Sequence, residues 1–99
     1  MSQEKLSYVY ILFGSRNGTL YTGVTSDLVK RVWQHKEKII KKGFTTKYTV
    51  DKLGYYEVYN DIGLAIEREK TIKGDSRKKK LELIEKANPH WINLYYEII

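Results

Sequence analysis

A tight turn near the N-terminus is the sequence feature that most constrains the fold. Asn17-Gly18, at the centre of residues 16–19, separates two runs rich in β-branched and aromatic residues, SYVYILF (7–13) and LYTGVT (20–25). An Asn-Gly pair favours the two-residue turns whose twist matches antiparallel strands. The sequence therefore predicts a β-hairpin whose first strand is buried on both faces. A hairpin does not require tyrosines on both sides of its turn, so the rest of the chain must decide whether they serve the core or chemistry.

The remaining pattern predicts one further strand and three helices. Thr25-Ser26-Asp27 offers N-caps for a helix over 27–42, whose apolar face follows Leu28, Val32, His35 and Ile39. The other predicted features are a C-cap at Gly43, a loop or extended segment over 44–51, a strand over 52–59, a helix from Asn60 or Asp61 to Lys73 that Gly74 ends, and a helix over 77–86 that Ser76 caps and Asn88-Pro89 breaks. The order β-β-α-β-α-α predicts an α/β or α+β domain, in which helices flank a small, mainly antiparallel sheet of three strands.

Length and composition limit the class of protein. The 99 residues are expected to form one domain, because neither half would bury a workable core. With 41% hydrophobic and 30% charged residues, the chain is globular rather than disordered. No apolar run approaches the roughly 20 residues of a membrane span, and MSQEKLSYVYIL lacks the features of a signal peptide. We therefore expect a cytoplasmic protein that does not bind membranes, and the absence of cysteine excludes disulfides and thiolate metal sites.

The net charge of +6 is concentrated in the first half of the chain. Residues 1–50 hold nine Lys or Arg against three acidic residues, whereas residues 51–99 hold nine against nine. A basic surface favours an anionic partner, of which nucleic acid is the commonest, but many cytosolic proteins are also mildly basic. Charge alone therefore leaves nucleic-acid binding and a solubilising surface equally open.

Residues of the hairpin and of the first helix could form one polar cluster. Arg31 and His35 are four residues apart on one helix face, and Tyr21 lies just after the turn that leads into this helix. Gly23 would let a backbone or a ligand approach closely. Each has a plain structural alternative: a satisfied core histidine, a cross-strand aromatic, or space for the helix. Taken singly, these alternatives are favoured.

Glu67 and Asn88 are the candidates in the second half. Glu67 lies on a helix whose other charges are predicted to be solvated, namely Arg68, Glu69 and Lys70. It suits a metal ligand or, equally, a surface ion pair with the lysine three residues on. Asn88 has an equally plain alternative as the C-terminal residue of a helix before a proline.

The order and spacing of these positions resemble the GIY-YIG nuclease superfamily. Tyr8-Val9-Tyr10 is followed, eleven residues after Tyr10, by Tyr21-Thr22-Gly23, and then by Arg31, His35, Glu67 and Asn88. The resemblance covers almost the whole chain and is closest to the small stand-alone members, through the stretches YVYIL, YTGVT, RVWQHK and NPHWINL. The first motif departs from the family name, since Tyr8 stands where Gly is expected.

The resemblance implies a fold and a chemistry. It implies a short, mainly antiparallel three-stranded sheet between helices, and cleavage of a DNA phosphodiester with one divalent ion, Mg²⁺ or Mn²⁺. The roles it implies are activation of the attacking water by Tyr21, a place near the scissile phosphate for Tyr10, binding of that phosphate by Arg31, positioning or deprotonation of the nucleophile by His35, metal binding by Glu67, and support of the site by Asn88. One carboxylate is enough, because Mg²⁺ keeps several waters.

Basic residues are the expected nucleic-acid contacts. The candidates are Lys36, Lys38, Lys41, Lys42, Lys47 and Lys73, together with the run Arg77-Lys78-Lys79-Lys80. A lysine run is as often a solvated helix face as a phosphate-contacting patch. Binding through these residues would depend on salt and be largely blind to sequence.

Three functions are compatible with the sequence. The first is a metal-dependent endonuclease that acts on branched, damaged or single-stranded DNA in repair or recombination. The second is a nucleic-acid-binding module with the same fold and little or no hydrolytic activity, and the third is a protein-interaction domain. DNA is favoured over RNA as the partner, and a separate partner protein could supply targeting.

Overall fold

A computed structural model describes residues 5–16, 18–37 and 50–99 of the chain. Three strands and four helices lie within these residues: β1 (Ser7–Phe13), β2 (Leu20–Thr25), α1 (Leu28–Lys36), β3 (Lys52–Tyr59), α2 (Ile62–Gly74), α3 (Arg77–Ala87) and α4 (Tyr95–Ile98). The predicted order and fold class are confirmed, and the short α4 is an addition to them. The predicted extension of α1 over 38–42, the cap at Gly43, the segment 44–49 and Asn17 of the turn lie outside the described residues. No helix within the described ranges is long and apolar enough to cross a bilayer.

The sheet has the strand order β2-β1-β3, and both strand pairs are antiparallel. The predicted hairpin is therefore formed by β1 and β2, and β1, between two neighbours, is buried from Val9 to Phe13. The register of β1 with β3 shifts between Ile11 and Leu12, which leaves Gly54 as the extra residue of a bulge. The side chain of Phe13 occupies the space beside Gly54, and its Cδ1 would lie 2.9 Å from a Cβ at this glycine.

Alternate residues of β1 feed two separate cores, one on each face of the sheet. Val9, Ile11 and Phe13 pack with side chains of α2 and α3 and with Trp91. Tyr10 and Leu12 point the other way and pack with side chains of α1, β3 and α4: Leu28, Val32, Leu53 and Tyr95. The sheet is thus a middle layer, with α1 and α4 on one face and α2 and α3 on the other.

Side-chain caps set the starts of three helices where the sequence predicts them. Asp27 Oδ1 accepts a hydrogen bond from the backbone amide of Lys30 (3.1 Å) at the start of α1. Asp61 accepts from the amide of Gly63 at α2, and Ser76 accepts from the amide of Lys79 at α3. These bonds satisfy amides that have no partner inside the helix, so the caps fix where each helix begins.

Candidate active site

Three aromatic rings from three different elements meet on the α1 face of the sheet. Tyr10 of β1, Tyr21 of β2 and His35 of α1 have ring centroids 6.4, 6.3 and 5.5 Å apart for the pairs Tyr10–Tyr21, Tyr10–His35 and Tyr21–His35. The two tyrosines point to the same face because Tyr10 pairs with Gly23 and Leu12 pairs with Tyr21 across the hairpin. His35 reaches them because it shares the buried stripe of α1 with Leu28 and Val32. Tyr21 and His35 of the predicted cluster therefore meet, and Tyr10 joins them in a cluster that combines core and polar character.

Gly23 makes room for the ring of Tyr10. A Cβ at this position would overlap the Tyr10 hydroxyl and would lie 2.5 Å from Cζ and 3.0 Å from Cε1. The two residues are cross-strand partners, so the ring of Tyr10 lies across the bare backbone of β2. The group that approaches Gly23 closely is therefore the side chain of Tyr10, and neither of the predicted alternatives for this glycine named it.

Arg31 lies one helical turn before His35 and adds a positive charge to the cluster. It is half-buried, and its charge acts on both Tyr10 and His35. Burial, with the charge of Arg31 in addition, lowers the pKa of His35 below its ordinary value of 6.5. His35 is therefore a neutral imidazole at neutral pH, able to accept a proton.

The two tyrosines differ in their surroundings. Burial raises the pKa of Tyr10 well above 10, the nearby Tyr21 raises it further, and Arg31 opposes both effects. Tyr10 is thus a neutral phenol that can donate a hydrogen bond. Tyr21 is only half-buried, while Tyr10 is 1% exposed. The accessible phenol of the pair is therefore Tyr21.

Glu69 is the acidic residue of α2 whose charge acts on this cluster, although the sequence predicted that its side chain is solvated. Its side chain is only 12% exposed, and its charge raises the pKa of Tyr10. Glu67 lies on the exposed side of α2, where its backbone carbonyl accepts a hydrogen bond from Thr71 Oγ1 (3.0 Å). The prediction that Glu69 is solvated is wrong, because it lies in the buried register of the helix, between Ala65 and Ile72.

Arg68 was also predicted to be solvated, and this too is wrong. Its guanidinium donates two hydrogen bonds to the carboxylate of Glu57 on β3, from Nε to Oε1 (3.0 Å) and from Nη2 to Oε2 (3.1 Å). Tyr55 and Tyr59 donate hydrogen bonds to the same carboxylate. This paired, hydrogen-bonded group fixes α2 on the sheet. Lys70 is exposed, as predicted.

Asn88 is a buried bracket of the scaffold. Its Nδ2 donates to the carbonyls of Gly54 (3.1 Å) and Ile92 (2.9 Å), and its Oδ1 accepts from the amide of Ile92 (3.1 Å). It is also the C-cap of α3. All of these bonds join Asn88 to backbone groups, so this residue stabilises the fold that holds the site. Its alternative role at a helix terminus is confirmed.

Three of the predicted basic contacts have partners within the protein. Lys36 Nζ lies 3.0 Å from Tyr96 Oη, and Lys73 Nζ lies 2.6 Å from Glu69 Oε2. Arg77 Nη2 donates to the carbonyl of Gly18 (2.6 Å) and so ties α3 to the hairpin turn. Lys78 and Lys79 are exposed and Lys80 is half-buried, whereas Lys38, Lys41, Lys42 and Lys47 lie outside the described residues.

One partly buried carboxylate whose charge acts on the cluster could bind a metal ion. Within residues 5–16, 18–37 and 50–99, no group of three or more His, Cys, Asp and Glu side chains is gathered to hold a metal. Glu69 is partly buried and already accepts a cation, the ammonium of Lys73. That donor set fits a hard divalent ion that takes one protein carboxylate and completes its shell with water and substrate oxygens.

The chain is similar to known proteins in both sequence and structure. The family model of the GIY-YIG catalytic domain matches residues 6–82. The chain is 37% identical over 84 residues to the UPF0213 protein of Staphylococcus saprophyticus, which covers 81% of this chain and 95% of that one. It is 39% identical over 83 residues to the UPF0213 protein of Syntrophus aciditrophicus, with coverages of 84% and 93%.

A solved structure has the same fold. The solution NMR structure of the UPF0213 protein from Bacillus halodurans superposes with a TM-score of 0.55 at 27% sequence identity. The match covers 89% of this chain and 92% of that chain. The three-stranded antiparallel sheet and its flanking helices are therefore shared with that protein.

Proposed function

This chain belongs to the GIY-YIG family, a superfamily of the nuclease type, and from that premise we propose that it is a metal-dependent endonuclease that hydrolyses DNA phosphodiester bonds. We propose that it processes DNA during repair or recombination. The observation that carries the proposal is the convergence of Tyr10, Tyr21 and His35 from three elements, with Arg31 one turn away.

The cluster offers a site for the anionic reacting group. Arg31 would bind non-bridging oxygens of the phosphate, because a guanidinium presents several donors and keeps its charge. Tyr10, held as a neutral phenol by its burial, would donate a hydrogen bond to the same group. Both interactions strengthen as negative charge builds on the phosphate oxygens in the transition state, which is the condition for catalysis.

Tyr21 and His35 would act together as the general base that accepts the proton of the attacking water. A phenol is a weak base in its neutral form, so Tyr21 requires a proton acceptor beside it. His35 is a neutral imidazole at pH 7, with its ring centroid 5.5 Å from that of Tyr21. As water forms the new P–O bond, the P–O bond to the leaving sugar oxygen breaks, and the proton of the water passes to the Tyr21–His35 pair.

Glu69 is the carboxylate that we propose for the metal ion, in place of Glu67. A bound Mg²⁺ or Mn²⁺ would polarise the phosphate and stabilise the leaving oxygen. Glu69 would hold it from the buried stripe of α2, and Lys73 would give up its place beside the carboxylate.

A cleavage assay tests the proposal. The purified protein is incubated with Mg²⁺, with Mn²⁺ or with EDTA, and with labelled single-stranded, duplex, flap or four-way-junction DNA. We expect metal-dependent cutting that Tyr21→Phe and Arg31→Ala each abolish. If the wild-type protein binds these substrates but cuts none of them, it is a binding module with a nuclease fold. If it neither binds nor cuts, nucleic acid is not its partner.

A further inference from the structure

The outer surface of α1 carries a large aromatic side chain that the cluster does not use. Trp33 is 44% exposed, whereas the other tryptophan, Trp91, is 6% exposed and packed edge-on against Phe13. An exposed indole presents a flat aromatic face on which another ring can stack, and its N–H can reach a polar partner.

The charges around Trp33 suit a polyanion. Lys30 and Lys36 stand three residues before and three residues after it, so both are its neighbours on the helix surface. Lys36 is held over the rings of Tyr95 and Tyr96, 5.2 and 5.0 Å from their centroids. Tyr96 is itself 63% exposed, so a second aromatic side chain adjoins this surface.

Arg31 and Trp33 are two residues apart and therefore lie on different sides of α1, and a path around the helix surface joins them. On a helix, residues three or four apart are neighbours, and the steps Arg31–Gln34, Gln34–Lys30 and Lys30–Trp33 are all of this kind. A polar groove at the end of β2 lies along the first part of this path, lined by Thr25, Ser26, Asp27, Lys30, Arg31 and Gln34. Glu37, four residues after Trp33, is an acidic neighbour at the C-terminal end of α1, and Asp27 is the acidic residue of the groove at the N-terminal end. The basic side chains Lys30 and Lys36 lie between them.

We propose that the surface of α1 that runs from Arg31 around to Trp33 binds the nucleic-acid strand next to the reacting phosphate, with Lys30 and Gln34 along the sugar–phosphate backbone and Trp33 stacked on an unpaired base. The inference rests on the proposed function, since it takes Arg31 as the residue that binds the reacting phosphate. Aromatic stacking with flanking cations is how proteins hold single strands without reading their sequence. A paired base inside a duplex offers no free face to Trp33, so the surface favours unpaired nucleotides.

Because Trp33 is exposed and Trp91 is buried, tryptophan fluorescence can report on binding at Trp33. Intrinsic fluorescence is followed in EDTA, so that no hydrolysis occurs, while an oligothymidine of about 15 nucleotides is added, a length within single-strand site sizes. We expect quenching in the wild-type protein and none in Trp33→Phe, which retains only the buried Trp91. The same titration with a duplex of equal length is expected to leave the emission of Trp33 nearly unchanged.

Affinity is measured in parallel by the anisotropy of a labelled oligothymidine. Because one stacked base is worth about 1–3 kcal/mol, Trp33→Leu should weaken binding by about 5- to 150-fold, and Trp33→Phe by clearly less. Ile62→Ala is the matched control, since it removes an apolar side chain of similar exposure (50%) from α2 and should leave affinity unchanged.

Two results would overturn the inference while leaving the proposed function standing: DNA cutting by a protein whose affinity does not change in Trp33→Leu, or equal quenching by duplex and single strand. Emission of Trp33 that depends on protein concentration without nucleic acid, together with a dimer in sedimentation, would assign the surface to a second copy. A wild-type protein that binds no nucleic acid at all would remove the proposed function together with this inference.

Discussion

Glu69 Oε2 and Lys73 Nζ lie 2.6 Å apart, one helical turn from each other on α2. The carboxylate side chain is 12% exposed and the lysine side chain 52%, so the pair is anchored at its acidic end and open at its basic end. An i,i+4 pair of this kind on an open surface contributes only a few tenths of a kcal/mol. Its interest is the location, because the charge of Glu69 acts on Tyr10 of the candidate site.

The two glutamates of α2 give a direct test of the metal ligand. We expect Glu69→Gln to lower metal-dependent cleavage by about 100-fold or more, since a metal contributes several kcal/mol to transition-state stabilisation. Glu67→Gln is the matched control and should cut at the wild-type rate. Binding of Mn²⁺, followed by electron paramagnetic resonance, should weaken only in Glu69→Gln. A loss confined to Glu67→Gln would restore the ligand suggested by the sequence.

Gly23→Ala should disturb the site through packing. The new Cβ would overlap the ring of Tyr10, and overpacking of this kind costs about 1–3 kcal/mol. The free energy of unfolding, measured in urea, should fall by that amount, and activity should fall with it because Tyr10 must move. Gly74→Ala is the control: a Cβ there has no heavy atom within 4 Å, so stability should not decrease. Equal stability of the two variants would mean that Tyr10 does not lie across β2.

His35 should make stability depend on pH. Its pKa in the folded protein is below 6.5, so at a pH near that value the unfolded chain binds more protons than the folded one. The contribution of His35 to the free energy of unfolding should be fully present above pH 6.5. It should decrease as the pH falls through 6.5, and the decrease should stop once the pH lies below the pKa of His35 in the folded protein. One proton limits the slope to about 1.4 kcal/mol per pH unit.

Two variants isolate this effect, with urea unfolding measured at several pH values. His35→Gln should remove the dependence, whereas His90→Gln, which changes an exposed histidine, should retain it. A pH dependence that persists in His35→Gln would assign the titration to another group.

The lysine run at the start of α3 should contribute to binding without selecting a sequence. Replacing Lys78, Lys79 and Lys80 with glutamine should weaken DNA binding and flatten the plot of log affinity against log salt, by about 0.9 for each lost phosphate contact to duplex DNA. Arg77 is left in place because it holds the hairpin turn. The control changes the same charge elsewhere, at the exposed residues Lys5, Lys70 and Lys86. The same slope in both triple variants would make the run a solvated helix face.

Local sequence patterns predicted the elements well because their causes are local. The cap residues Asp27, Asp61 and Ser76 and the break at Asn88-Pro89 act on the backbone within a few residues. Strand β3 was predicted with its observed bounds, Lys52–Tyr59, from β-branched and aromatic residues. The four-residue α4 was not predicted, since one turn of helix carries too little periodic pattern to be recognised.

The candidate site was predicted in part. Tyr10, Tyr21 and His35 were placed together by a short hairpin that leads into α1, a connection that leaves few alternatives. The choice between Glu67 and Glu69 was different, because both follow Ala65 within one turn. A signal was present: Glu69 stands four residues after Ala65 and three before Ile72, which is the spacing of the buried stripe. A charge in that register was taken for a solvated residue.

By itself, the sequence determined the order of the strands and longer helices, where those helices begin and the spacing of the tyrosines, since these depend on backbone preferences and on contacts across one turn. Only the tertiary structure decided which charges are partnered between elements: Arg68 with Glu57, and Arg77 with the carbonyl of Gly18. It also decided that Asn88 joins α3 to the bulge at Gly54. The physical reason is that a charge or amide in one segment is satisfied by whichever group packing brings to it, and the packing of distant segments is not written in the local pattern of either.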